Sequence, residues 1–116
     1  MVQQLTSRLD VSFAALSDST RRGVLARLGR SESSITELAE AFDMTLTGMK
    51  KHVGVLEAAG LVATEKVGRV RTCRLGRHRL EDEAAWIEGH RQLWDARFDA
   101  LSEVVETLKR TEQDDA

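Results

Sequence analysis

Residues 44–62 read MTLTGMKKHVGVLEAAGLV, and their spacing decides the fold. Leu46, Met49, Val53 and Leu56 recur at helical intervals, so a helix is expected from Thr45 to about Ala59, with Gly60 as its left-handed stop. The face opposite that stripe carries Thr47, Gly48, Lys51, Gly54 and Ala58, with Lys50 and His52 on its flanks. A surface helix usually carries long charged side chains there. Here one cation stands among small residues. Gly48 and Gly54 each cost a helix on the order of 1 kcal/mol relative to Ala, so the bareness needs a reason.

The preceding segment, SSITELAEAFD, opens on a capping box, Ser34 with Glu37. Ile35, Leu38, Ala39 and Phe42 follow at i, i+3, i+4 and i+7, which gives a short helix. Only about three residues separate it from Thr45, so residues 34–59 read as a helix-turn-helix. Directly after it, LVATEKVGRVRTCRL holds two β-prone runs, Leu61–Val67 and Val70–Leu75, broken at Gly68-Arg69. The expected class is mainly α with a small β-hairpin wing at about 61–75, a winged helix-turn-helix. Alternation places Arg69 and Arg71 on one face with Cys73, and Arg74 on the other.

Outward from this centre, Leu5, Leu9, Phe13 and Leu16 mark a first helix. A second, capped by Ser17 or Asp18, packs Val24, Leu25 and Leu28 and ends near Gly29. A long helix from about 79 to 110 carries Leu80, Ala84, Ile87, Trp94, Phe98, Leu101, Val105 and Leu108 on a 4-3 pattern broken at Arg91. Four heptads of this kind favour packing along another helix, supplied by a second subunit or by the first helix of the same chain. Trp86 and Leu93 widen the apolar surface, and the tail TEQDDA is expected to fray. One domain spanning 1–116 is expected.

Composition excludes several function classes. The single cysteine, Cys73, leaves no internal disulfide and too few thiolates for a zinc finger. The start, MVQQLTSRLD, has no signal-peptide pattern, and no apolar run approaches the ~20 residues a bilayer requires, so a cytoplasmic chain with no membrane partner is expected. No nucleophile–base spacing, phosphate loop or paired carboxylates appear, which gives no catalytic residue, no cofactor and no enzyme. Net charge is −2, yet residues 45–79 balance at +6 and residues 80–116 at −7. A basic middle beside an acidic tail points to nucleic acid.

That charge explains the bare face. A recognition helix enters a major groove roughly 12 Å wide, and small residues let its backbone approach the bases. Thr47 suits a base edge or a thymine methyl and Lys51 a guanine edge, while Lys50, His52 and the helix N-terminus suit phosphates. Arg69 and Arg71 on the wing reach phosphates or the neighbouring minor groove. The expected partner is double-stranded operator DNA. A protein-interaction module of the same shape is the alternative from another class; it predicts no steep fall of DNA affinity with salt.

The chain also resembles the ArsR-type (ArsR/SmtB) winged-helix repressors over roughly residues 11–110. The resemblance rests on ALSDSTRRGVLARL, ITELAEAFDMTLTGMKKHVGVLEAAGLV and the wing VGRVRTCRL. The family's recognition-helix pattern falls on Thr45, Leu46, Thr47, Gly48, Met49, Lys50, Lys51, His52 and Val53. Ser19 replaces the usual proline, Met49 a β-branched residue and Lys50 a serine; these departures leave the operator sequence open. The resemblance implies a homodimer through the first and last helices, a palindromic operator and repression. Metal-sensing relatives carry C-x-C in the third helix, absent here, and the last helix offers only His90 with Glu88, Asp95 and Asp99. No metal site is therefore expected, and Trp86 with Trp94 resembles the metal-independent branch. An alternative control mode is a redox effector acting at Cys73, whose arginine neighbours could lower its thiol pKa, or a small-molecule ligand in a pocket between the long helices. The favoured reading of Cys73 is a wing-strand cysteine that packs like a small apolar residue.

Overall fold

The computed structural model describes the backbone of residues 2–115 and the side chains of residues 7–113; the Leu5 side chain and Ala116 lie outside the described residues. The chain divides into two compact units, Met1–Glu81 and Asp82–Ala116. In the first, helix α1 (Val2–Leu16) leads to α2 (Ser19–Leu28), a short strand β1 (Ser33–Ser34), α3 (Ile35–Ala41), α4 (Leu46–Ala58) and a hairpin of β2 (Val62–Val67) and β3 (Val70–Leu75). The second is helix α5 (Glu81–Asp115). Among the described residues, no helix is long and apolar enough to cross a membrane.

Local chemistry sets the boundaries. Asp18 caps α2 by accepting from the Arg21 backbone N–H at 3.0 Å. Ser34 and Glu37 form both halves of the capping box, each at 3.1 Å, and Thr45 caps α4 by accepting from Gly48 N–H. Gly60, at φ 76°, turns the chain after α4, and Gly68, at φ 63°, takes the first position of the two-residue wing turn.

The core of the first unit gathers one face of α2, α3 and α4, with Ala15 of α1: Leu38 and Ala39 of α3, Met49, Val53 and Leu56 of α4, Val24 and Leu28 of α2. Val62 and Cys73 close it from the sheet. Leu46 departs from the expected stripe. It is 43% exposed, because at the first turn of α4 that face has left the core and borders the wing groove. The sheet holds a strand the sequence did not suggest: β1 pairs antiparallel with β3, Ser33 opposite Cys73 and Ser34 opposite Thr72. In α5, Trp94 and Phe98 are 65% and 67% exposed, and Leu101, Val105 and Leu108 are also exposed. The helix continues through Asp115 where fraying was expected; no glycine or proline follows Gly89 to break it.

The caps carry a pH signature. The Arg21 backbone N–H holds the Asp18 carboxyl below its ordinary value of 3.8, and Ser34 holds Glu37 below 4.5. A carboxylate lowered on folding contributes stability present above its unfolded pKa and lost as pH falls through the folded one. Thermal stability should thus hold down to about pH 5 and decline on further acidification. Asp18→Asn with Glu37→Gln should flatten that decline; an unchanged acid profile would show that the caps do not set it.

Candidate nucleic-acid interface

Between α4 and the hairpin runs an open groove of about 500 Å³. Lys50, Lys66, Arg69 and Arg71 line it against one carboxylate, Glu57. The strand register explains the concentration of charge. The two-residue turn pairs Lys66 directly with Arg71, so two cations face each other on one side of the wing. Like charges in that relation repel and destabilise a sheet, and a polyanion relieves them. On the other side, Arg74 is already neutralised by Glu65 at 3.3 Å. The expected separation of Arg71 from Arg74 holds, with Cys73 on the Arg71 side and Arg69 in the turn. Lys66 was not singled out from the sequence, although counting outward from Gly68-Arg69 places it opposite Arg71.

A hydrogen-bonded chain joins wing to helix. The Arg71 guanidinium donates to Thr64 Oγ1 at 3.1 Å, and that hydroxyl donates to Glu57 Oε2 at 2.6 Å. It ties β2 and β3 to the last turn of α4 and so holds the hairpin against that helix.

The remaining site residues separate into three groups. Thr47 and Lys51 are exposed and share a stripe of α4 with Gly54 and Ala58. Thr45 and Gly48 belong to the cap, and a Cβ on Gly48 would lie 3.1 Å from Thr45 Oγ1 and 3.3 Å from Met44 Cε. The bareness at Gly48 therefore has an internal cause. Gly54 does not: a Cβ there would meet nothing within 4 Å, and its φ is not in the left-handed region. Nothing inside the molecule requires glycine at 54. His52 is turned toward α2, its Nδ1 3.3 Å from Arg21 Nη1 and 3.8 Å from Asp18 Oδ2.

A helix-turn-helix domain family matches residues 16–65. The crystal structure of an ArsR family transcriptional regulator is 41% identical and superposes with a TM-score of 0.72 over 78% of this chain and 93% of that one. An ArsR-like transcriptional regulator from Rhodococcus sp. RHA1 is 34% identical, with a TM-score of 0.76 over 92% and 98%. YuzN of Bacillus subtilis, an uncharacterized HTH-type transcriptional regulator, is 37% identical over 87 residues, 68% of this chain and 95% of that protein. The chain belongs to the ArsR family. It is a DNA-binding transcriptional regulator of winged helix-turn-helix form.

In this ArsR-family protein Cys73 is wholly buried. Burial pushes its thiol above the ordinary value and Glu57 adds to the rise, while Arg71 opposes it. This burial is the apolar packing that the sequence favoured for a wing-strand cysteine, and it runs against the thiolate alternative. Desolvation outweighs the single arginine that acts on the thiol, so thiolate character is weakened, not strengthened. Among the described residues no three His, Cys, Asp or Glu side chains are grouped to hold a metal. His90 instead stacks on Trp86, ring centroids 4.0 Å apart.

Proposed function

We propose that this regulator is a homodimeric repressor whose 116 residues act as one winged-helix domain on a two-fold-symmetric operator, in the cytoplasm at the nucleoid. The single observation that carries the reading is the cationic groove of Lys50, Lys66, Arg69 and Arg71 beside a helix face left open at Gly54. Thr47 and Lys51 read base edges from the exposed stripe of α4. Lys50 and His52 hold the sugar–phosphate backbone, and Thr45 and Gly48 shape the helix start where backbone N–H groups meet phosphate. Arg69 and Arg71 follow the backbone onto the adjacent minor groove. The apolar stripe of α5 joins two copies, which sets half-sites ~10 bp apart or a multiple of it. No catalysis, metal or other cofactor enters this reading, and the buried thiol gives a Cys73 redox trigger no support.

The test is selection of genomic fragments by the purified protein, followed by salt titration on the best duplex. Affinity should fall steeply as salt rises; a flat response would favour a protein-docking module. Lys50→Ala should weaken matched and scrambled duplexes alike and shallow the log–log salt slope by about 1 per monomer. Lys51→Ala should cost roughly 1–3 kcal/mol per half-site on the matched duplex and little on the scrambled one. Identical losses from both substitutions would overturn this division of labour.

A further inference from the structure

Arg21 lies on α2, outside the groove, yet its guanidinium reaches two other helices. Nε donates to Ala15 O at 2.7 Å and Nη2 to Ala14 O at 2.9 Å, at the C-terminal end of α1, where Ala14 O also accepts from the Ser17 N–H and hydroxyl. Nη1 faces His52 Nδ1 on α4 at 3.3 Å, across 31 residues of sequence. A guanidinium has donors only, so Nδ1 is the acceptor and the ring proton belongs on Nε2. The Asp18 carboxylate, 3.8 Å from Nδ1, is too far to claim that proton. No hydrogen bond to Nε2 occurs among the described residues. Because no buried side-chain nitrogen there lacks a partner, Nε2 is open to solvent.

We propose that Arg21 is a positioning residue for DNA binding: it locks His52 in the Nε2–H tautomer, so that α4 presents a neutral, oriented donor to a phosphate. The idea rests on the DNA-binding reading for its consequence but not for its geometry. Asp18 completes the device by capping α2 through the Arg21 backbone, which fixes the root of the side chain. His52 thus contributes direction where Lys50 contributes charge.

Long-range proton–nitrogen NMR on the free, 15N-labelled protein at about pH 8, where imidazole is normally neutral, tests the geometry without DNA. His52 should show one tautomer, Nε2–H, and Arg21→Met should convert it to a mixture. An Nδ1–H or mixed ring in the parent protein, or a ring indifferent to Arg21→Met, would overturn the proposal. Anisotropy titrations on the selected duplex test the consequence. His52→Asn keeps an acceptor near the Nδ1 position and removes the distal donor, so the fold should hold. Affinity should drop about tenfold, as for two lost neutral hydrogen bonds per dimer, with the salt slope unchanged because a neutral donor releases no counterion. A shallower slope, or no loss, counts against it. Arg21→Lys keeps the charge but not the planar fork; full affinity with a scrambled tautomer would also sink the idea. A parent protein that binds no duplex yet shows the locked tautomer would instead refute the DNA reading and leave the assignment standing.

Discussion

Phe98→Glu is expected to leave a folded monomer that no longer holds the full operator. Phe98 stands 67% exposed near the middle of the α5 stripe, flanked by Trp94, Leu101 and Val105, themselves exposed. Burying one such side chain stabilises an interface by roughly 1.5–3 kcal/mol, and two-fold pairing buries it twice. A carboxylate at each copy replaces that gain with two desolvated like charges. The first unit, with its own core of Leu38, Met49 and Leu56, does not depend on the substitution. Without the tether, the second half-site becomes a separate bimolecular event, and affinity for the full operator should drop by roughly 10²–10⁴. Affinity for an isolated half-site should be unchanged. Sedimentation equilibrium with anisotropy on full and half operators measures both. A variant that stays dimeric would place the subunit contact elsewhere; a monomer with undiminished operator affinity would remove the need for pairing.

The elements most legible in the sequence are those whose cause is local. The Ser34/Glu37 box, the Gly60 stop and the Gly68-Arg69 turn each lie within a few residues of what they terminate or reverse, and all three are found where expected. What was hidden depends on distant partners. Ser33-Ser34 has no β pattern and becomes a strand only because Cys73 and Thr72 lie beside it. Arg21 of α2 and His52 of α4 meet across 31 residues of sequence, and nothing near either residue announces it. Cys73 packs as the small apolar residue its place in the wing strand suggests, and the rise of its thiol comes from burial, which outweighs the neighbouring arginine. Lys66 is different in kind: counting outward from the Gly68-Arg69 turn is enough to place it against Arg71. The bare helix face proved to have two causes, internal at Gly48 and external at Gly54.

That division allows stability and binding to be moved in opposite directions at a single position. Gly54 lies within α4, and a side chain grafted there points into open space. Gly54→Ala should stabilise the free protein by roughly 1 kcal/mol, the ordinary helix gain. Gly54→Leu should retain most of that gain, since leucine is nearly as strong a helix former. Both should impair DNA binding. Gly54 shares the groove with Lys50 and Val70, and a major groove ~12 Å wide barely admits a helix with its side chains. An isobutyl group there holds the backbone off the bases, with an expected loss of roughly a hundredfold or more, about 2.7 kcal/mol. Alanine should lose less, so binding should fall in order of side-chain size while melting temperature rises. Gly89→Ala in α5, where an added Cβ also meets nothing within 4 Å, supplies the comparison: a helix gain with no binding loss. Thermal melts and anisotropy titrations on the same samples decide it. If Gly54→Leu bound the operator as tightly as the parent, α4 would not lie in the groove, because no internal contact asks for glycine at that position.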